Sequence, residues 1–444
     1  MAKRRPEPQV GEIVDLTHDG RGVTALGGKR VFVHDALAGE VVNYQVVKRR
    51  RNYDEAVVLD VASRAAERVE PRCPVFGVCG GCTLQHLEHE AQLAHKQRVL
   101  IENLRRIGEL SEIPLSKPIR GPVWQYRRRA RLGVKQVFGK GRVLVGFRER
   151  SKPYIADMQA CAVLEPALER LPHELATLID TMDAKARLPQ VEVTAADRTT
   201  ALVFRILDPL TGADRDRLVA FQQAHGYDVW LQTGGPDTLA PLAAIDERLD
   251  SPQPLDYRLD AFDLTLAFQP NDFIQINRQI NDRLVAEAID ALQIAPTHRV
   301  LDLFCGIGNF TLPIATRAAH VVGVEGAAAL TDRARDNARD NSLDNVEFVT
   351  ADLETVDGTE AWLQTPFDRV LLDPARAGAG AMMPLLGKIQ PGRIVYVSCH
   401  PGTLARDLGA LVANFGYRLT DIRIADMFPH TAHVETLAVL ERTR

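Results

Sequence analysis

From about residue 298 the chain alternates short apolar runs with helix-length segments, and this constrains its fold more than any other feature. The runs at 299–304, 320–325, 346–350, 369–372 and 393–398 are rich in Val, Leu and Ile and have strand length. Parallel neighbours need a crossover of about a dozen residues or more, usually a helix, and each gap is long enough to supply one. A doubly wound α/β domain with a parallel sheet is therefore expected. Two more runs, 419–425 and 434–440, follow with no obvious long helix between them, so a reversed final strand is expected.

The chain before this domain reads differently. Residues 9–63 hold about five short strands, at 11–16, 23–26, 30–33, 40–48 and 55–62, punctuated at Asp19-Gly20, Gly27-Gly28 and Ala38-Gly39. They fit a small barrel of the oligonucleotide-binding kind, or more plainly a small β domain, because strand count alone does not close a barrel. A cysteine-rich loop precedes a helix over about 86–107, where Leu87, Ala91, Ala94, Leu100, Ile101, Leu104 and Ile107 recur at helical spacing before Gly108. A mostly β region then runs to about residue 265. It opens with a hairpin in which Ala130, Leu132 and Val134 alternate with polar neighbours, 139–141 turns, and Val143, Val145 and Phe147 return. Alternation sets Arg129, Arg131 and Lys135 on the opposite face. The expected domains are 1–63, 64–265 and 266–444.

A chain of 444 residues accommodates such a multidomain arrangement. No stretch approaches the roughly 18–20 apolar residues of a membrane helix. No apolar segment follows Met1-Ala2-Lys3-Arg4-Arg5-Pro6, so the expectation is a cytoplasmic protein with reduced cysteines and no membrane partner. The net charge of −4 hides an asymmetry: from Lys117 to Lys152 there are twelve Lys and Arg against one acid, Glu149. Smaller basic runs stand at Lys3, Arg4 and Arg5 and at 48–51. One charge run is ordinarily a solvated face. A segment this lopsided in an otherwise acidic chain fits a footprint for phosphate better. Trp124, Tyr126, Phe138 and Phe147 interleave with the charge, as stacking residues or as core.

Leu301-Asp302-Leu303-Phe304-Cys305-Gly306-Ile307-Gly308-Asn309-Phe310 reads as a strand, a glycine turn and a helix start, where a nucleoside cofactor can approach the backbone. Thr311 stands where a dinucleotide fingerprint has its third glycine, which disfavours NAD. Glu325, closing the next strand, suits a ribose, and Asp352, after the third, suits an adenine amine. These acids favour S-adenosylmethionine. Asp373-Pro374-Ala375-Arg376 follows the fourth strand and differs from the Asn/Asp-Pro-Pro-aromatic motif of amino-group methylation.

Tyr396-Val397-Ser398-Cys399-His400-Pro401 ends the fifth strand, placing a thiol at the edge where such sheets bind ligands. A thiolate added at uracil C6 turns the ring into an enolate that takes a methyl group at C5, after which a base must remove the C5 proton. Glu435, in Met427-Phe428-Pro429-His430-Thr431-Ala432-His433-Val434-Glu435, is the candidate base; Cys305 is assigned no chemistry. The other four cysteines are Cys73, Cys79, Cys82 and Cys161. Their spacing alone is equally compatible with structural zinc and with [4Fe–4S].

With these motifs and Asp272-Phe273-Ile274-Gln275-Ile276-Asn277, the chain resembles the RNA uracil-C5 methyltransferase family over essentially its whole length. Within that family it resembles the bacterial 23S rRNA enzymes that carry a TRAM barrel and an iron–sulfur module. The resemblance implies a multidomain α/β protein: an OB-like TRAM barrel, a central mostly-β domain with a [4Fe–4S] cluster on the four cysteines, and a class I (Rossmann-like) methyltransferase domain. It implies Cys399 as nucleophile and Glu435 as base. It places Gln275, Phe304, Asn309, Glu325, Asp352 and Asp373 around S-adenosylmethionine, and Phe273 near the RNA base. Arg127, Arg129 and Arg131 are the expected RNA contacts. The implied product is 5-methyluridine in 23S rRNA, at uridine 1939, made by a monomer. It also implies that the helix at 86–120 packs on the C-terminal domain. His400 departs from the family, whose motif usually carries asparagine there. A sister enzyme acting on another rRNA or tRNA uridine is the near alternative. A non-catalytic, cluster-bearing RNA-binding or redox-sensing protein is the remote one.

Overall fold

The computed structural model describes residues 7–443, so the basic run at Lys3, Arg4 and Arg5 lies outside the described residues. The C-terminal sheet has the order Val346–Thr350, His320–Glu325, Arg299–Leu303, Arg369–Leu372, Arg393–Ser398, Glu435–Arg442, Tyr417–Ala425. Its first five strands pair in parallel, and Glu435–Arg442 runs antiparallel to both neighbours, as the missing crossover helix before it requires. Both faces are covered, which is why the central strands are apolar throughout: Val395 and Val397 belong to one core, Ile394 and Tyr396 to the other.

Near the N-terminus the expected first strand is broken in two. Gln9–Glu12 pairs with Val41–Arg49 at one end of the strand order, and Asp15–Leu16 pairs with Gly22–Leu26 at the other. Only Ile13 and Val14 separate the halves, so one continuous chain joins the two edges and the sheet curls shut around Ile13, Val31, Val33, Val42, Tyr44 and Val46. Sequence periodicity cannot reveal this change of partner, because side-chain alternation continues through it.

The helix spans His89–Arg106, with the Glu88 carboxylate accepting the Ala91 N–H at 3.1 Å. Its apolar face (Leu93, Val99, Leu100, Leu104) joins the C-terminal core against Leu404, Ala405 and Leu408. The approach is close: a Cβ on Gly108 would lie 2.7 Å from the Ala405 carbonyl oxygen, and one on Gly409 2.6 Å from that of Gly108. Leu115 and Ile119 then bridge to Ile422 and Ala425, extending the edge of the C-terminal sheet. The chain next builds a second sheet, ordered Leu239–Pro241, Asp228–Gln232, Thr200–Arg205, Gln190–Ala195, Arg129–Val137, Arg142–Gly146, with a core of its own. The hairpin Asp256–Leu259/Leu264–Ala267 packs into the C-terminal core through Tyr257, Leu259, Leu264 and Leu266. The core therefore changes ahead of residue 265.

Candidate active site

Several strands end at the carboxyl edge of the C-terminal sheet, and their next residues carry the reactive groups. Ser398 pairs with Thr436 at the end of the two strands' pairing, so Cys399, the residue after Ser398, and Glu435, the residue before Thr436, adjoin at this edge closely enough to interact. Asp373 leaves Arg369–Leu372 beside them, its N–H bonded to the Leu303 carbonyl at 3.3 Å.

Burial dominates the electrostatics. Glu435 is 2% exposed, and burial, then Asp373, holds its carboxyl well above the usual range. Burial raises Asp373 to about 7. It raises Asp302 to about 8, against a Thr311 hydroxyl bond of 2.5 Å and with help from Asp373 and Glu325. The Cys399 thiol is pushed up to about 11, by burial first and then by Glu435 and Asp373, with Arg376 opposing. A crevice lined with acids that resist ionising is suited to a cationic ligand, whose charge would ionise them and draw the thiol toward thiolate.

The glycine turn approaches the ligand position through left-handed backbone at Phe304 (φ 66°), Gly306 (56°) and Gly308 (95°). The Glu325 carboxylate accepts the Gly306 N–H at 3.2 Å and the Ala327 N–H at 3.1 Å. Asp352 is exposed just past Val346–Thr350 and accepts the Glu354 N–H at 3.0 Å. Asn309 is turned into structure: the Tyr257 hydroxyl donates to its Oδ1 at 2.9 Å, and it exchanges amide bonds with Asn281 at 3.0 and 3.1 Å. Cys305 is buried beneath the turn.

Phe273 is 68% exposed, an apolar ring with its face free. The neighbouring Gln275 is partly buried, and its carbonyl accepts Arg128 Nε at 2.8 Å. The three candidate arginines differ. Arg127 lies over the Phe147 ring and lines the cysteine cavity. Arg129 is half-buried and donates to the Asp272 and Asn271 carbonyls, next to Phe273. Arg131 is open to solvent and pairs with Glu192 at 3.0 Å. Strand alternation therefore sets the face of these residues, while tertiary partners decide which stay free.

His400 takes the N-cap of the helix Pro401–Phe415, its Nδ1 accepting the Thr403 N–H at 3.2 Å. Asparagine is a strong N-cap for the same reason: it offers a short side-chain acceptor. The two residues thus share a role. His400→Asn should retain activity and melting temperature, whereas His400→Ala should lose about 1 kcal/mol of stability, read by thermal unfolding.

Cys73, Cys79, Cys82 and Cys161 are free thiols lining one cavity with Phe76, Phe147 and Met158. Burial raises Cys82 to about 12 and Cys161 to about 11, so their thiolates need compensating positive charge nearby. Among the described residues no three His, Cys, Asp or Glu side chains are gathered as a group for a single ion.

Residues 256–443 match the family described as tRNA (Uracil-5-)-methyltransferase. The chain is 49% identical, over all of its length and 99% of the relative's, to the 23S rRNA (uracil(1939)-C(5))-methyltransferase RlmD of Alkalilimnicola ehrlichii. The chain belongs to the RNA uracil-C5 methyltransferase family. The RlmD of Stenotrophomonas maltophilia is 46% identical, over 97% of this chain and 96% of its own. Among solved structures, the Pyrococcus abyssi tRNA (uracil-54, C5)-methyltransferase in complex with S-adenosyl-L-homocysteine shares the fold. Its TM-score is 0.73 at 24% identity, over 97% of this chain and 100% of that one. Sequence reasoning left Arg376 without a role; it donates to His433 Nδ1 at 3.0 Å and acts on the Cys399 thiol. Its place in Asp373-Pro374-Ala375-Arg376 was the available signal. The Asn281 partner of Asn309 left none.

Proposed function

We propose that this protein makes 5-methyluridine at position 1939 of 23S rRNA, using S-adenosylmethionine. The observation that carries the reading is the gathering of Cys399, Glu435 and Asp373 at the carboxyl edge of the sheet, next to the glycine turn. The full-length similarity to relatives named for that reaction supports the choice of substrate. In this reading Gln275, Phe304, Asn309, Glu325, Asp352 and Asp373 hold the cofactor, which supplies a methyl group on a cationic sulfonium. Phe273, with its exposed ring, stacks on a flipped base, and Arg127, Arg129 and Arg131 serve the RNA. Cys399 adds to C6 of the uracil, the electron density gained at C5 takes the methyl group, and Glu435 removes the C5 proton so that the thiolate leaves.

The N-terminal barrel, residues 1–63, is assigned as a TRAM domain and 64–265 as the central RNA- and cluster-binding region. Residues 266–444 are assigned as the methyltransferase domain, whose core also takes in the hairpin Asp256–Leu259/Leu264–Ala267 and on which the 89–106 helix packs. Cys73, Cys79, Cys82 and Cys161 are assigned to a [4Fe–4S] cluster: four thiols around one largely apolar cavity suit it, and the cluster iron supplies the charge that buried thiolates require. Anaerobically purified protein should carry iron and sulfide at about four each per chain, whereas one zinc per chain would overturn the assignment. The protein is further taken to be a cytoplasmic monomer.

The function is tested by labelled-methyl transfer to total RNA from cells lacking the gene, followed by mapping of the product. Label confined to 23S uridine 1939 is expected. Label in tRNA, or at another rRNA uridine, would overturn the substrate and leave the chemistry intact.

A further inference from the structure

The segment that delivers Glu435 to the crevice is held largely by elements outside the C-terminal sheet. The Phe428 carbonyl accepts Lys96 Nζ at 3.0 Å, and the Pro429 carbonyl accepts the Tyr126 hydroxyl at 3.0 Å. The His430 carbonyl takes both the Thr83 and Leu84 N–H groups at 2.9 Å, immediately after Cys82. The His430 N–H donates to the Gln92 side-chain oxygen at 2.9 Å, and the Ala432 N–H to Thr83 Oγ1 at 3.2 Å. Trp124 packs against the His430 ring, tilted by 31° with centroids 3.9 Å apart. His430 itself has left-handed backbone (φ 64°), which a residue with a side chain keeps only where its surroundings enforce it.

The start of this segment is held by the same helix. Glu435 pairs with Ala425, and the next residue, Asp426, binds buried Lys96 at 2.7 Å and His89 at 2.8 Å. Helix His89–Arg106 and the cysteine loop thus hold the connection that leads into Glu435, at its start at Asp426 and along 428–432. Cys399 follows a different strand, Arg393–Ser398, and precedes the helix Pro401–Phe415; the 89–106 helix packs on that helix through apolar side chains, but none of these hydrogen bonds reaches Cys399.

We infer that the cysteine loop and the 89–106 helix form a clamp that positions Glu435 for the second half of the reaction, with Tyr126, Gln92 and Thr83 as positioning residues. The inference rests on Glu435 being the base. In that half the C5–H bond breaks, its proton passes to the Glu435 carboxylate, and its electron pair forms the C5–C6 double bond. The C6–S bond breaks, and sulfur leaves as the Cys399 thiolate. A misplaced carboxylate slows this step, while thiol addition and methyl transfer keep their geometry. The four-cysteine site, one residue from Thr83, is thereby joined mechanically to product release.

The test uses full-length Tyr126→Phe and Gln92→Leu proteins with methyl-labelled S-adenosylmethionine and unmodified 23S rRNA, beside Glu435→Gln. Tyr126→Phe removes one hydroxyl and keeps the ring; Gln92→Leu provides an independent break in the clamp. Methyl transfer in a single turnover should stay within about twofold of wild type, while turnover falls about tenfold and a denaturation-resistant, labelled RNA–protein band accumulates. Unchanged turnover in both variants, or equal loss of methyl transfer and release, would overturn the clamp. A band with Glu435→Gln and none with the clamp variants sinks the clamp alone. No band with Glu435→Gln removes the base on which it rests.

Discussion

Cys399→Ala should lower methyl transfer by about 10⁴-fold or more while leaving S-adenosylmethionine affinity within about twofold. Without the thiol no bond forms at C6, and C5 of the neutral ring is too electron-poor to take a methyl group. The cofactor residues lie on other strands: Glu325 closes His320–Glu325, and the glycine turn follows Arg299–Leu303. Removing a small, partly buried side chain at the mouth of the sheet leaves them in place. The thiol is held up at about 11 by burial and by Glu435 and Asp373, so little thiolate exists before ligands arrive. Alkylation by iodoacetamide should therefore be slow in the free protein. Substantial residual methyl transfer by the alanine variant would remove Cys399 from the mechanism.

Glu435→Gln should stop the reaction one step later, with a methylated RNA–protein adduct that survives denaturation and runs as a shifted band. The amide fills the same volume but cannot accept the C5 proton, so addition and methyl transfer proceed and elimination does not. Wild-type behaviour carries the same signature in its pH dependence. Burial and Asp373 hold the Glu435 carboxyl well above its usual range, and only the ionised form is a base. Adduct resolution should therefore quicken as pH rises through that raised value. An adduct that resolves as fast in the glutamine variant as in wild type would assign the proton to another group.

Much of the catalytic sheet was legible in the chain because its signals are local. Apolar runs separated by helix-length gaps imply parallel strands, and residues that end strands fall at one edge. Cys399, Asp373 and Glu325 could be placed that way. The register that brings Glu435 to the same edge as Cys399 could not, since it depends on the reversed last strand sliding to one of several pairings. The basic segment shows the same limit. Alternation assigned Arg129 and Arg131 to one face, yet only Arg131 stands in solvent, because Arg129 is drawn to the carbonyls of a loop more than a hundred residues away.

By itself the sequence determined the kinds of domain, the edge of the sheet that bears the chemistry, and the residue types able to perform it. All follow from spacing within a few turns or strands. No local pattern placed the helix near residue 100 in the C-terminal core, which only the family resemblance implied, and tertiary structure alone decided that the cysteine loop grips the segment leading to Glu435. Those contacts join residues such as Gln92 and His430, 338 positions apart, and rest on complementary shape and hydrogen bonding that no local pattern encodes.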